Sequence, residues 1–585
     1  YHIANEKDTT MAILPGSSPS IAVKEIDLTG VVPAVTTSTG AFVGDFRWGP
    51  VEEPILVSNE SNLVSNFGSP DQNSAVDFLS ASAFLQYSDS LYVVREVTST
   101  ARNASSADSA AAAPLVKNMD NWNAQKGNLA TEGLTFVSKY PGTAGNSIKV
   151  EVCPYSSNDA VFKAWGDSAY SGYFDGAPST STYVGEQGGN NDEVHVLVID
   201  ENGAFSGTRG SVLESFAFAS LASDAKTSDG TANYLIDVLN NRSQYVWCAS
   251  APEDLNAGIP ALGKNFIMTT PAVQEVSLVH GVESGVLDTS EVLLGFDQFQ
   301  DVNTIEVDFL IAPGMADKEK QLAVVARLVS IAAGTNGRMD CVVVTSPDRA
   351  AVVYNPSPVS STLSTTNDFN GSSYLIVDNN YLKVYDKYND QYVFIPAAPV
   401  TAGVMAGTDA VAAPWFSPAG SRRGQYFGVT SLAYNATKSE RDSLYKAGVN
   451  PVINVPGQGI ILFGDKTKES RPSAFDRINV RRLFLAVERS IKGAARNVMF
   501  EFNDEFTRAE FVNVVVPFLR EIKGRRGITD FRVVCDETNN TAAVIDQNRF
   551  VANIFIKPAR SINYVTLNFV AVRTGVEFEE VVGSV

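Results

Sequence analysis

The chain has 585 residues, 44% of them apolar and 10% aromatic, with 45 basic and 65 acidic residues and a net charge of −20. That length predicts three or four domains with cores of their own, and the acidic balance argues against nucleic acid as a main partner. There is no run of about 18 apolar residues, so no membrane span is predicted, and the opening YHIANEKDTT lacks the apolar stretch of a signal peptide.

Met11 opens a stretch that reads as a natural start, so residues 1–10 read either as an upstream extension or as a remnant of expression. Residues 11–28 predict an extended arm. Pro15 and Gly16 punctuate its start, Ile21 and Val23 alternate, and Ile26 and Leu28 alternate in the opposite phase. A slip of one predicts a bulge or bend. With no partner strand nearby in sequence, the arm must pair with a distant part of its own chain or with another subunit.

Residues 41–100 predict a strand, a short helix capped by Asn59 and ended by Gly68, and a second helix. Ser74 starts that second helix, with Asp77 three residues on. Val76, Leu79, Ala83 and Tyr87 mark its buried face, and Leu91–Val97 is a strand. The small, polar TSTARNASSADSAAAAP reads as a linker. From there to about Pro252 the chain is rich in Gly, Ser, Thr and Tyr, with short strands at Ser147–Val152 and Glu193–Ile199. GTANYLIDVLNNRSQYVW reads as a helix leading into a strand. Low charge density and many turns suit a solvent-facing insertion over residues 101–255.

The main body resumes by about Leu293. DVNTIEVDFLIAPG predicts a buried strand, and Asp317 to Ala333 a helix with Leu322, Val325, Ala326, Val329 and Ala333 inward and Gly334 at its end. RMDCVVVTSP is another buried strand. Strand, helix, strand with both strands apolar is a βαβ unit, so part of this sheet is parallel. SSYLIVDNNYLKVYD reads as a hairpin around Asp378-Asn379-Asn380, and INVPGQGIILFGDKT as a second one.

The clearest pattern lies between Ser473 and Val585. Val480, Leu483, Phe484, Val487 and Ile491 recur at helical spacing, with Arg481, Arg482, Glu488, Arg489 and Lys492 elsewhere on the wheel. Asn497 to Phe502 reads as a short strand. A helix follows from about Glu505 to Lys523, with Asp504 as its N-cap. Phe511, Val514, Val515, Phe518, Leu519 and Ile522 form its apolar face. Pro517 is placed to kink it and Gly524 to end it. Strands are predicted at Phe531–Asp536, Arg549–Pro558 and Ile562–Arg573. Residues 471–585 hold 17 basic and 14 acidic residues, a net of +3, against −23 for the rest.

Sites of chemistry are sparse. His2, His195 and His280 do not cluster at metal-ligand spacing, and no H-E-x-x-H occurs. Pro313-Gly314 and Ser346-Pro347-Asp348 lie where α/β enzymes build sites. No phosphate-binding glycine motif or nucleophile elbow accompanies them. DKYNDQY (386–392) hints at calcium-loop spacing but lacks the central Gly and the final Glu, so a polar hairpin turn is the better reading. Cys153, Cys248, Cys341 and Cys535 are widely spaced with no CxxC. They read as buried thiols of a protein made in a reducing cytoplasm. The reading is therefore of a protein that is not an enzyme and has no catalytic, cofactor or metal residues.

NVRRLFLAVERSI, FTRAEFVNVVVPFLREIKGRRGITDFRVVCDETNN and IKPARSINYVTLNFVAVRTGVEFEE resemble the C-terminal domain of tail sheath proteins of contractile-tailed bacteriophages, over residues 471–585 almost without a break. GAFVGDFRWGPVEEPILVSNESNLVSNFGSP resembles the N-terminal block of that family. KYPGTAGNSIKVEVC and QYVFIPAAPVTAGVMAGTDAVAAPWFSPAG resemble further elements of it. The resemblance implies an α+β, multidomain subunit: an N-terminal extension and arm (1–28), an α/β main body with a part-parallel sheet (29–100 plus 256–470), a β-rich inserted outer domain (101–255), an α+β C-terminal domain facing the tube (471–573) and a C-terminal arm (574–585).

The resemblance also implies a helical homo-polymer in the virion tail, assembled in the host cytoplasm around a tail tube protein. Baseplate and tail terminator proteins would be further partners, with no direct nucleic acid and no membrane insertion. Contraction of the polymer would drive the tube through the host envelope. Ile13, Leu14, Ile21 and Val23 are the candidates for strand addition from the N-terminal arm, and Val576, Phe578 and Val581 from the C-terminal arm. Lys523, Arg525 and Arg526 are the candidate basic face toward an acidic tube. The alternatives are a sheath of a non-phage injection system or bacteriocin, a non-contractile capsid or tail component and, remotely, a soluble α/β enzyme.

Overall fold

A computed structural model describes residues 37–563 apart from Asn336. The arm residues Ile13, Leu14, Ile21, Val23, Val576, Phe578 and Val581 lie outside the described residues, as do His2 and nearly all of the predicted Ile562–Arg573 strand. The chain forms two compact units, one of residues 489–557 and one that takes in 35–488 and resumes at 558. The fold is α+β.

The larger unit is built on a six-stranded sheet in the order Leu375–Val377, Val342–Thr345, Phe309–Ile311, Gly40–Gly44, Leu91–Arg95, Pro54–Val57. The first five strands run parallel and the last is antiparallel. Helices cover both faces, so both faces of each strand are apolar. Phe42, Val93, Phe309, Ile311, Val342 and Val344 face the helices Ala75–Leu85 and Ala398–Val411. Ala41, Val43, Val94, Leu310 and Val343 face the helix Lys318–Ala333. The expected βαβ unit is present in the parallel pairing of Phe309–Ile311 with Val342–Thr345.

Local expectations hold where a cap or breaker sets the geometry. Asn59 accepts from the Asn62 amide and Gly68 ends that helix at φ 74°. Asp317 accepts from the Lys320 amide and Gly334 is the C-cap. Other expectations need correction. Ser74 makes no side-chain cap. Its hydroxyl donates to Asp71, while Asp77 accepts the Asp45 amide at 2.8 Å instead of serving the helix. The Ala75–Leu85 helix buries two faces. Phe78, Ala81 and Phe84 meet the sheet, while Val76, Leu79, Ala83 and Tyr87 meet a second core with Leu382, Val400 and Val452.

In the Lys318–Ala333 helix the buried stripe is Gln321, Val324, Val325, Leu328, Ile331 and Ala332. Ala326 is exposed, and Leu322, Val329 and Ala333 are only partly buried. The apolar run from Val324 to Ala333 fits two helical phases. Gln321 settles the choice, because its buried amide accepts from the Met315 amide and donates to Thr345.

Asp378-Asn379-Asn380 is not a hairpin turn. Leu375–Val377 ends the six-stranded sheet, and Tyr381–Asp386 starts a three-stranded antiparallel sheet with Gln391–Pro396 and Ser431–Leu432. The three polar residues make the crossover fully buried. Asn379 and Asn380 bond to Tyr434, and Asp378 accepts from Thr401. The second predicted hairpin is Val452–Val455 with Gly459–Leu462.

The predicted linker after Thr98 is held in the core. Arg102 and Ser105 form β-bridges to Val282 and Val279. The buried Asn103 side chain donates to the carbonyls of Val116 and Ser138 and accepts the Val116 amide. Short polar side chains read as a loop in sequence, but here they satisfy buried backbone. Beyond it a four-stranded antiparallel sheet runs Ser211–Ser220, Glu193–Asp200, Ile148–Pro154, Gln274–Ser277, its last strand coming from beyond residue 255. Val150, Val196, Phe216, Leu235 and Phe266 form its core.

Candidate assembly surfaces

In the smaller unit, the helix Glu505–Gly524 is capped by Asp504, which accepts the Thr507 amide at 2.8 Å. Phe511, Val515, Leu519 and Ile522 form one buried stripe, and Phe511 meets Phe550 edge-on at 5.4 Å. Val514 and Phe518, predicted for the same face, are partly buried at its margin, and Pro517 lies inside the helix. The unit has a two-stranded sheet of Ile528–Val534 and Asn553–Pro558. Side chains of the second strand alternate between exposed and half-buried, and Phe555 is 59% exposed. Among the described residues neither strand has a second neighbour. A sheet of two strands is marginal alone, and an open edge offers backbone groups to a further strand.

Asn497 to Phe502 is not the predicted strand. It is a turn after the helix Ile478–Arg496, with Phe500 at φ 72°. Phe500 and Phe502 are almost fully exposed, with Met499 and Phe506 largely so. The run was read as a short strand, but among the described residues these side chains stay in solvent.

Gly524 does not end its helix in the expected way. The Gly527 amide donates to the Ile522 carbonyl and the Arg526 amide to that of Lys523. This is the Schellman arrangement, with Arg526 in the left-handed position at φ 66°. Sequence reasoning looked for glycine there and missed a strained arginine. Lys523 pairs with Asp530 at 3.0 Å and Arg525 with Glu521 at 3.6 Å, all four side chains well exposed. Lys523, Arg525 and Arg526 thus lie together at one helix end, where cations also suit the helix dipole.

The loops at the carboxyl ends of the parallel strands are packed. Tyr381 is 1% exposed, and its hydroxyl donates to the Pro347 carbonyl at 3.1 Å. A Cβ at Gly314 would lie 2.6 Å from that hydroxyl. Ser346 accepts the Ala398 amide, and Asp348 caps a short helix and accepts from Thr365. His195 is buried against Phe174 at 4.1 Å, accepts the Phe218 amide at Nδ1 and donates from Nε2 to the Gly176 carbonyl. Burial holds its pKa below the usual value. His280 is a half-buried residue at φ 67°. In 386–392, Asp386 is buried and accepts the Tyr388 amide within the hairpin turn. The four cysteines are buried thiols. Among the described residues no group of three or more His, Cys, Asp or Glu side chains is placed to hold a metal ion.

One charged cluster was not foreseen. Arg95 is fully buried and donates to the carbonyls of Phe46, Gly49 and Pro141. Around it, burial pushes the Asp45 carboxyl up to about 8 despite the Arg95 charge, Asp77 to about 6 and Glu96 to about 8. Arg95 therefore ties the end of its strand to the loop before Ile148–Pro154 through backbone carbonyls, and burial shifts the carboxyls beside it toward their protonated forms.

The described residues thus comprise a layered α/β body, a β-rich module and a small unit whose two-stranded sheet has no further neighbour among them. Residues 470–571 match the phage tail sheath C-terminal domain, 289–468 the phage tail sheath protein central domain, and 37–95 the domain III N-terminal region of the tail sheath protein Gp18. The tail sheath protein of Vibrio phage KVP40 is 31% identical over 679 aligned positions, which cover 97% of this chain and 99% of the relative. That of Enterobacteria phage T4 is 32% identical, with coverage of 97% and 99%. A solved sheath tail protein from Listeria innocua shares the fold at a TM-score of 0.54 and 14% identity, over 90% of this chain and 93% of that one. The chain belongs to the phage tail sheath protein family.

Proposed function

We propose that the chain polymerises helically around a tail tube in the virion and contracts to drive the tube through the host envelope. The observation that carries this reading is the near full-length relationship to phage tail sheath proteins. The sheet of Ile528–Val534 and Asn553–Pro558, which has no further strand among the described residues, supports it.

In this reading the N-terminal arm, through Ile13, Leu14, Ile21 and Val23, and the C-terminal arm, through Val576, Phe578 and Val581, add strands to the 471–573 domains of neighbours. Each added strand contributes about six backbone hydrogen bonds at a net of roughly 1 kcal/mol each. The contact is head-to-tail, so repetition with rotation and rise gives an open helical tube. The body (29–100 plus 256–470) and the insertion (101–255) move as rigid pieces while the arms keep subunits linked. Each further 1,000 Å² of apolar burial in the contracted state contributes at most about 25 kcal/mol per subunit before costs. No catalytic role is assigned to the chain, and contraction draws on packing alone. Lys523, Arg525 and Arg526 face the tube, and baseplate and terminator proteins bound the polymer, which assembles in the host cytoplasm.

The test is negative-stain electron microscopy of the purified chain, alone and with purified tube. Hollow tubes with helical striations are expected for the intact chain, and folded monomers for a chain lacking residues 11–24. Normal tubes from that deletion refute strand addition by the N-terminal arm. Failure of the intact chain to coat tubes refutes the sheath role.

A further inference from the structure

The two ends of the larger unit's described chain are fastened to the start of the same helix. At the N-terminal side, the Thr37 hydroxyl donates to Asp409 at 2.5 Å, and the Thr37 carbonyl accepts from Arg482 at 3.3 Å. Arg482 also pairs with Asp409 at 2.5 Å and donates to the Met405 carbonyl at 2.9 Å. The Arg482 and Asp409 side chains are only 4% and 9% exposed. Asp409 keeps one buried oxygen, Oδ1, without a partner among the described residues.

At the C-terminal side, Ser561 donates to Asp465 at 2.7 Å. Asn563 donates to Asp465 at 3.1 Å and to the Tyr445 hydroxyl at 2.7 Å. Arg477 reaches the same carboxylate at 2.8 Å and the same hydroxyl at 2.5 Å. Asn479 donates to the Ala559 carbonyl at 3.4 Å. Asp465 is 5% exposed on its side chain. Burial works to raise its pKa, but the bonds from Ser561 and Asn563 and the Arg477 charge hold it below the usual carboxylate value.

Arg477 immediately precedes the helix Ile478–Arg496, and Asn479 and Arg482 fall within its first turn and a half. Buried ion pairs of this kind are weak sources of net stability compared with apolar packing. What they supply is direction, since each carboxylate accepts fixed donors and sets one register. An apolar seat would let the backbone slide.

Resting on the sheath reading, we propose that residues 477–482 form a yoke that holds the roots of both terminal segments, 1–36 and 564–585. A pull on either segment is then delivered to one helix. Asp409 and Asp465 are its positioning residues. In a lattice linked through both termini, the yoke makes the two linkages of a subunit act together.

The test uses the full chain with Asp409→Asn, Asp465→Asn and the double variant. Amide exchange of the monomer, followed by mass spectrometry, is expected to rise about tenfold around residues 37–39 in D409N and 559–563 in D465N, with the six-stranded sheet unchanged. Coating of purified tubes is expected to slow about fivefold in each single variant, and the double variant to be no slower than the slower single. Thr37→Val and Ser561→Ala remove one donor each and leave both ion pairs, so they cover the case of a misfolded Asp variant; about threefold effects are expected. Unchanged exchange at the roots overturns the yoke. So does a double variant whose slowing equals the product of the two singles, which marks independent anchors. If the wild type itself fails to coat tubes, the sheath reading falls, while the exchange measurement still decides whether the roots are clasped.

Discussion

Arg526 offers a test that separates folding from assembly. It occupies the left-handed position of a Schellman motif at φ 66°, where glycine is the usual residue. An L-residue there costs about 1–2 kcal/mol, and glycine returns part of that gain through its larger unfolded-state entropy. Arg526→Gly is therefore expected to stabilise the 489–557 unit by about 1 kcal/mol. For a unit of roughly 70 residues this corresponds to a rise of about 4–8 °C in its melting temperature. Calorimetry of the monomer, with exchange protection across Glu505–Gly524, reads the effect on this unit. Arg526→Lys keeps both strain and charge, so no shift is expected. A non-glycine residue held at positive φ points to a retained function. R526G should accordingly coat tubes more slowly although it is more stable. Two results refute the reasoning: no stabilisation, which removes the strain, or stabilisation with wild-type coating, which removes any assembly role for the Arg526 charge.

Three further outcomes are expected. Asp45, Asp77 and Glu96 hold protons in the folded chain at pH values where the unfolded chain has released them, so stability should fall as pH rises from about 4 toward about 8. Each group contributes a slope of about 1.4 kcal/mol per pH unit while it alone stays protonated, and Asp45→Asn should flatten the urea-denaturation profile across that window; an unchanged slope counts against protonated carboxyls around Arg95. Phe84→Ala empties a fully buried site between helix and sheet and should cost about 3–5 kcal/mol by the same assay, whereas a cost under about 1 kcal/mol would deny that face its core role. Asn103→Ala strands the carbonyls of Val116 and Ser138 and the Val116 amide, and should destabilise by about 2 kcal/mol or more, with faster amide exchange over residues 100–116; a neutral result would restore the linker reading.

Features were legible in the sequence where one local interaction decides them. Asn59, Gly68, Asp317, Gly334 and Asp504 each set a helix end through a bond made within a few residues, and each works as expected. The βαβ unit was legible because strands covered on both faces leave apolar runs that a half-exposed strand lacks. The errors share a cause, which is a polar or apolar side chain whose partner is distant in sequence. Asn103 looks like a loop residue until Ser138 is placed beside it. Asp378-Asn379-Asn380 looks like a turn until Tyr434 and Thr401 enclose it. Asp77 looks like a helix-start acid until the Asp45 amide claims it.

The turn at Met499 to Phe502 fails for a more instructive reason. Alternating apolar residues report that a surface is to be buried; they do not report by which chain. In a monomeric enzyme the two statements coincide, because the only available core is its own. In a subunit of a polymer they separate, and the separation appears as large aromatic side chains left in solvent, as with Phe500, Phe502 and Phe555. All three lie in residues 489–557, the unit whose sheet has two strands among the described residues. Non-glycine residues at positive φ occur in both units, Phe500 and Arg526 among those of this one. Large aromatics in solvent and a sheet of only two strands among the described residues are surfaces that a further strand or a neighbour can cover.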